Sequence, residues 1–263
     1  MAGRLTGPKE AGLQRFAPST LDLGGTIERH GHAAPYATVV LVGSYEEAGD
    51  AGRTVAIAGD VLLHAPFACH RDLVSGTRTQ VLDLPLPFDA RRRPARARLA
   101  DPDFAVRLAE RDPYEAALWV LDQLAPLAME CDDLPDRLAA ALRAAEPPQI
   151  GHWAAQNGFS REHVSRQFRL AYGVTAARYR MENIAREAWF AAVGGDETLA
   201  QVAAATGFAD QAHMSRAVAW LTGHPPGVWR RWGRPGGRSP DEIYGAGHIG
   251  SRTDAGDVLN RAA

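Results

Sequence analysis

Two stretches of the sequence, HWAAQNGFS at residues 152–160 and QVAAATGFAD at residues 201–210, are versions of one pattern. In each, an alanine-containing helical run leads to Gly-Phe. A residue that caps helices well then follows, Ser160 in the first copy and Asp210 in the second. Glycine readily takes the left-handed conformation that ends a helix. Each copy therefore predicts a short helix, a tight glycine turn and a second helix.

A helix, a turn and a second helix form a helix-turn-helix, which places its second helix in the major groove of DNA. We expect Phe159 and Phe208 to fill the space under the two turns. One copy would be weak evidence, but here the two caps lie 50 residues apart and residues 175 to about 193 between them read as a linking helix. That helix would span roughly 27 Å at 1.5 Å per residue. Successive major-groove faces on one side of a duplex are ~34 Å apart, so one subunit could seat both second helices.

This region resembles the DNA-binding domain of the AraC/XylS family of bacterial regulators. Beyond the two Gly-Phe stretches, the resemblance rests on Ser165, Arg166, Phe168, Arg169, Gly173, Thr175, Ser215, Arg216, Gly223, Pro225, Pro226, Trp229 and Arg230. The chain departs from the family pattern at Ile184-Ala185, Met214 and Val218. These replacements keep apolar character, so the resemblance still implies two helix-turn-helix motifs.

The outward faces of the two second helices supply candidate DNA contacts. We predict that the contacting residues are Arg161, Glu162, Ser165, Arg166, Arg169, Gln211, His213, Ser215 and Arg216. Arg166 suits guanine O6 and N7, Gln211 suits adenine, and Arg216 suits guanine or phosphate. Glu162 is suited to accept from a cytosine amino group. For each of these residues, a solvated surface side chain is the alternative.

The N-terminal part carries short β-branched runs between Gly, Asp and Pro, which predict an antiparallel β-sandwich or barrel. It resembles the cupin-type sensor domain that often precedes the AraC-type module. The residues that carry this resemblance are Gly24, His30, His32, Tyr36, Gly43, Gly59, Asp60 and His70. The predicted fold class is therefore α+β, a cupin-like β-barrel followed by an all-α domain with two helix-turn-helix motifs joined by a long helix.

Four of these residues, His30, His32, Tyr36 and His70, are the predicted ligand-binding residues of the barrel. His30 and His32 would share one face of a strand, and His70 could complete a metal-binding set. Tyr36 stands where cupins carry a carboxylate and is a poor replacement ligand. The resemblance also implies organic ligands without metal. We therefore predict no cofactor, and we expect any metal to use the three histidines.

The pattern along the chain predicts four segments. These are a cupin-like effector-binding domain at 1–98, a helical linker at 99–133, the double helix-turn-helix domain at 134–234 and a disordered tail at 235–263. Within the linker, a helix from 113 to about 129 carries an apolar stripe. This stripe either packs on its own barrel or joins two subunits as a homodimer. The arginines at 91–93 read as an exposed loop.

Composition narrows the classes of function. Hydrophobic residues make up 46% of 263, enough for packed cores, while no apolar run is long enough to cross a membrane. Two cysteines give no disulfide framework, and no secretory signal is visible, so we expect a cytoplasmic protein. The net charge of −2 is segregated, because residues 147–234 hold ten arginines against six acidic residues. A basic segment is the electrostatic signature of DNA binding.

These observations predict a sequence-specific transcriptional regulator, not an enzyme, controlled by a small-molecule effector in the barrel. The predicted partners are double-stranded DNA, the effector and, by resemblance, RNA polymerase, with no membrane association. The alternative is a metal-dependent cupin enzyme, or a metal or redox sensor using Cys69, fused to a DNA-binding module. The sequence contains no nucleophile elbow, P-loop or dinucleotide fingerprint.

Overall fold

The computed structural model describes residues 16–74, 76, 78–87, 95–128 and 132–232. Its strands are β1 (Ser19–Leu21), β2 (Thr26–Gly31), β3 (Tyr36–Val42), β4 (Ser44–Gly49), β5 (Gly52–Ile57), β6 (Asp60–His64), β7 (Cys69–Leu73), β8 (Thr79–Pro85), β9 (Ala95–Arg98) and β10 (Ala125–Leu127). Its helices are α1 (Pro102–Ala109), α2 (Pro113–Asp122), α3 (Leu134–Arg143), α4 (Ile150–Gln156), α5 (Arg161–Tyr172), α6 (Ala176–Gly194), α7 (Leu199–Ala205), α8 (Gln211–Thr222) and α9 (Pro226–Trp232).

The strands form two antiparallel sheets. One has the order β1-β8-β3-β6-β9-β10 and the other the order β2-β7-β4-β5. The predicted α+β class, a sheet-rich N-terminal region followed by a helical domain, is confirmed. No strand pairing among the described residues links the two sheets into a closed barrel, so the predicted barrel is an open two-sheet structure.

Strand β3 shows why the larger sheet is buried on both faces. Its first five residues are all buried. Ala37 and Val39 pack with α1 and α2, whereas Val40 belongs to a cluster with Tyr45 and Leu62 between the sheets. Alternate residues of a strand point to opposite faces. One face of β3 therefore meets helices and the other meets the interior between the sheets.

Helix α2 ends earlier than predicted. The sequence pattern placed its end near residue 129, but the helix ends at Asp122, and Ala125–Leu127 form β10 at the edge of the larger sheet. Pro126 cannot continue a helix, because proline has no backbone N–H to donate. An edge strand tolerates a proline, because its missing N–H there costs no hydrogen bond within the sheet. The predicted helical linker is therefore interrupted by a strand.

The predicted apolar stripe, which runs from α2 into the residues that follow it, divides between two environments. Ala117, Leu121 and Leu124 pack against the core of the larger sheet. Leu118 is 56% exposed. Most of the stripe thus packs on its own subunit, which was one of the two predicted alternatives.

Phe67, in the loop between β6 and β7, joins the sheet region to the helical domain. Its ring lies 4.8 Å from that of Trp189 and 5.4 Å from that of Trp229. Phe67 also has a φ of 57°, which is uncommon for a residue with a large side chain. Such a conformation persists where the surroundings hold it in place. The aromatic contacts with α6 and α9 are what hold Phe67 here.

Some predicted features fall elsewhere. The arginine loop at 91–93, Cys131 and the tail at 235–263 lie outside the described residues. Among the helices that are described, none combines the length and apolar character that crossing a lipid bilayer requires.

Candidate functional site

The first helix pair, α4 and α5, is organised by its turn and caps. Gly158 has a φ of 78°, the left-handed conformation predicted from the sequence. The Ser160 side chain caps α5 by accepting a hydrogen bond from the His163 N–H at 3.1 Å. Gly173 ends the helix in the left-handed conformation. The local sequence therefore fixes where α5 begins and ends.

The second pair, α7 and α8, repeats these features. Gly207 is left-handed, with a φ of 79°. The Asp210 carboxylate accepts from the His213 N–H at 2.7 Å. That bond holds the pKa of Asp210 below its usual value. Gly223 ends α8 as Gly173 ends α5. Between the pairs lies α6, a 19-residue helix capped by Thr175, which matches the predicted linking helix.

The inner faces of α5 and α8 carry the predicted apolar residues. Val164, Phe168, Met214 and Val218 are all fully buried. The prediction for Phe159 was wrong, because this residue is 40% exposed and stacks on His163 instead of filling the turn. Its counterpart Phe208 is buried as predicted.

The nine predicted DNA contacts lie away from these cores. Seven are exposed, namely Arg161, Glu162, Ser165, Arg166, Arg169, Gln211 and Arg216. His213 and Ser215 are half-buried. Five of the nine residues lie on α5 and four on α8. Each helix therefore presents a polar face to which a ligand has access.

Arg71 is a contact that the sequence did not reveal. It reaches from β7 to the end of α5, where its Nη1 donates to the Leu170 carbonyl at 2.6 Å. A cation at a helix C-terminus opposes the negative end of the helix dipole. Arg71 also lines a groove of about 330 Å³ with Arg166 and Arg169 of α5. The sheet region therefore borders the polar face of the first helix pair.

A second site lies between the sheets, where a cavity of about 130 Å³ contains all four predicted ligand-binding residues. Its lining residues are Leu21, Ile27, His30, His32, Tyr36, Thr38, Tyr45, Glu47, His64, His70, Asp72, Val81 and Asp83. The sequence missed His64 and three carboxyl groups in this lining. Their only sequence signal was the alternation of side chains between the two faces of β4, β6, β7 and β8. This alternation does not show which strands of the two sheets face each other.

The imidazoles of the cavity are packed against one another. Ring centroids are 4.4 Å apart for His30 and His70 and 4.7 Å apart for His64 and His70. The Tyr36 hydroxyl lies 3.3 Å from His70 Nε2. His30 Nδ1 donates to the Glu28 carbonyl at 2.8 Å. That bond assigns the proton of a neutral His30 to Nδ1 and leaves its Nε2 as an acceptor.

Burial shifts the titration of these groups. It lowers the pKa of His64 and His70 well below the usual value and, with the nearby His30, lowers that of His32 to about 4. Burial and the neighbouring Asp72 raise the pKa of Glu47. The histidines are therefore neutral near pH 7, with lone pairs available for binding.

An ionic cluster, formed by Arg29, Asp50, Glu182 and Arg186, joins the smaller sheet to α6. Arg29 donates to Asp50 Oδ1 at 2.6 Å and to Glu182 Oε2 at 2.8 Å. Asp50 also pairs with Arg186. All four side chains are at most 4% exposed. Burial lowers and Glu182 raises the pKa of Arg29, and the net direction is upward.

Cys69 lies beside this cluster, where its backbone N–H donates to Asp50 Oδ2 at 2.9 Å. Burial raises the pKa of its thiol to about 12. The thiol is therefore protonated near pH 7 and is a weak nucleophile and metal ligand. This environment does not favour the redox-sensor alternative.

Residues 153–231 match a family model described as a helix-turn-helix domain. Similar solved structures include an AraC-type regulator from Chromobacterium violaceum, with 21% identity, a TM-score of 0.36, and coverage of 40% of this chain and 95% of that one. The DNA-binding domain of AdpA in complex with target DNA has 23% identity, a TM-score of 0.35, and coverage of 38% and 91%. ToxT from Vibrio cholerae, bound to an unsaturated fatty acid, has 12% identity, a TM-score of 0.35, and coverage of 80% and 92%. No curated protein sequence matches the chain.

The paired, capped helices and the matching family model define a helix-turn-helix protein that binds DNA. Its helix-turn-helix domain is of the AraC type, which confirms the resemblance stated from the sequence. Residues 153–231 of this chain are thus an AraC-type helix-turn-helix domain.

Replacing Ser160 with alanine should destabilise the protein by about 1 kcal/mol, because the first N–H groups of α5 lose their capping acceptor. Ser165→Ala is the matched control, since this serine is exposed in the middle of the same helix. Denaturant titration of both variants measures the difference. Equal midpoints for the two variants would show that the cap adds no stability.

Proposed function

We propose that this chain is a sequence-specific transcription regulator. In this proposal, α5 and α8 read DNA, and a small effector in the cavity between the sheets changes how they do so. The observation that carries the proposal is the direct packing of the sheet region on the first helix pair and on α6 and α9. Arg71 contacts the end of α5, and Phe67 packs against Trp189 and Trp229.

The smaller sheet offers a route between cavity and helices. His30 lines the cavity, and its neighbour Arg29 binds Glu182 of α6. His70 lines the cavity, and its neighbour Cys69 binds Asp50. Because adjacent residues of a strand point to opposite faces, a ligand that moves β2 or β7 also acts on the ionic cluster.

Such a ligand regulates the protein if it has different affinities for two arrangements of the sheets and helices. The ionic cluster is suited to keep two such arrangements distinct. Its buried charges must stay paired, so geometries between the two arrangements are unfavourable. The proposal includes RNA polymerase as a partner and a homodimer, both on the basis of the family resemblance. Light scattering on the full chain tests the dimer.

Selection from random DNA duplexes by the full chain tests the proposal. We expect enrichment of two short elements about one helical turn apart, since one subunit carries two recognition helices on a single linker. If no sequence is enriched and the affinity for DNA falls steeply with salt, the protein binds DNA non-specifically and the proposal is wrong. Repeating the selection with extracts of small metabolites tests the effector.

Arg169 is proposed to bind phosphate, because it lies in the last turn of α5, beyond the first turns that reach base edges most easily. Replacing it with alanine should weaken binding to all duplexes by a similar factor. It should also reduce the slope of log affinity against log salt by about 1. Arg111→Ala, at an exposed arginine outside both helix pairs, should leave the slope unchanged. A change in base preference for Arg169→Ala would instead assign it to sequence reading.

A further inference from the structure

Three side chains in the cavity have the arrangement of metal ligands. Glu47 of β4, His64 of β6 and His70 of β7 each offer one ligand atom, and these atoms lie within 4.8 Å of one another. Glu47 Oε2 and His64 Nε2 are 3.7 Å apart. Ligands bound to one zinc ion at about 2.0–2.2 Å are separated by roughly 3–3.5 Å. Small side-chain rotations would close that difference.

Buried polar atoms in this set and beside it lack hydrogen-bond partners. The side chains of His64 and His70 are each 5% exposed. His70 Nδ1 and Asp72 Oδ1 have no hydrogen-bond partner among the described residues. Leaving a buried polar atom unpaired costs about 1–3 kcal/mol. A bound group that satisfies the set would remove part of this cost.

The charges around the cavity favour a cation. Three carboxyl groups line it, those of Glu47, Asp72 and Asp83, and none of the described lining residues is a lysine or arginine. An anionic effector would meet no positive side chain in this lining, whereas a cation would stabilise the carboxylates.

The size of the cavity points the same way. Its volume of about 130 Å³ is well below the ~300–1,000 Å³ of typical pockets for organic ligands. It can accommodate an ion with a few water molecules, each of which takes about 30 Å³ in liquid water. Two imidazoles and one carboxylate suit Zn²⁺ or Fe²⁺ better than Mg²⁺ or Ca²⁺, which prefer oxygen ligands.

We propose that Glu47, His64 and His70 bind a divalent transition-metal ion. The ion would hold β4, β6 and β7 together and so link the larger sheet to the smaller one. This inference deepens the proposed function by naming the chemistry of the ligand, and its regulatory consequence rests on that function. The set predicted from sequence, His30, His32 and His70, shares one ligand with it but contains no carboxylate. The sequence argument that an acid is missing therefore loses its force, because Glu47 supplies one from another strand.

Titration of the chelator-treated full chain with Co²⁺ tests the assignment. We expect one ion per chain, with visible absorption bands that Zn²⁺ abolishes by displacement. Glu47→Gln and His64→Gln should each weaken Co²⁺ binding at least tenfold. His152→Gln, at an exposed histidine on α4, should bind as the wild type does. Circular dichroism establishes that each variant is folded before it is titrated.

Other outcomes would overturn the assignment. Substoichiometric binding by the wild type, or binding unchanged in Glu47→Gln and His64→Gln, would show that these residues hold no ion. Loss of binding in His32→Gln with full binding in Glu47→Gln would place the ion on the three-histidine set. DNA selection on the same samples separates the two proposals. Enrichment without metal binding refutes the metal site alone, and metal binding without enrichment refutes the regulator alone.

Discussion

Replacing Asp50 with alanine is expected to lower the free energy of unfolding by about 3–5 kcal/mol, because it removes one partner from a buried ion pair. Asp50 is fully buried and binds Arg29, Arg186 and the Cys69 N–H. In the variant, both guanidinium groups remain in the interface with one carboxylate fewer. Arg29 keeps Glu182, whereas Arg186 loses its ion pair with Asp50.

Urea denaturation followed by tryptophan fluorescence measures this effect, since Trp189 and Trp229 lie in the same interface, against Phe67. Asp196→Ala is the control, because this aspartate is exposed in the loop after α6. Surface substitutions of that kind usually change stability by about 0.5 kcal/mol or less. If both variants unfold at the same urea concentration, the ionic cluster does not hold the sheet region on α6.

The helical domain could be predicted from sequence because its signals are local. A glycine turn, an N-cap and apolar residues at helical spacing lie within about ten residues of one another, so Ser160 and Asp210 mark the starts of α5 and α8 directly. Because the pattern occurs twice, the helix that links the two copies could be predicted as well. Phe159 shows the limit, because the same phenylalanine in the pattern is exposed in one copy and buried in the other.

The cavity could be predicted in part. The spacing of His30 and His32 placed both on one face of a strand, and the structure brings them together with Tyr36 and His70. Glu47 could not be found in this way, since its place depends on which strands the two sheets bring face to face. That pairing is set by the packing of whole sheets and has no local sequence signature.

The contacts between the two regions left no sequence signal. Arg29 and Glu182 are 153 residues apart, and each is unremarkable in its own segment. A buried charge differs from an exposed one through its distant partner, which a single sequence does not identify. The structural link proposed between ligand and DNA therefore came from the structure alone.

Arg166→Ala and Arg216→Ala should each relax the base preference at one of the two DNA elements. Each arginine lies on the exposed face of its helix, within the first two turns after the N-cap. A bidentate contact between arginine and guanine contributes about 1–3 kcal/mol of discrimination. Loss of one contact should weaken binding to the preferred duplex by roughly 5- to 150-fold, and binding to an unrelated duplex by much less.

The double variant decides whether the two motifs act as separate readers. The two arginines occupy different helices on either side of α6, so their effects should add when expressed as free energies. Selection and titration with the two single variants, the double variant and Arg111→Ala measure this on the same duplexes. Suppose that Arg216→Ala leaves both elements unchanged while Arg166→Ala relaxes one. The first helix pair then reads bases and the second contacts the backbone, so the predicted role of Arg216 in base reading would be wrong.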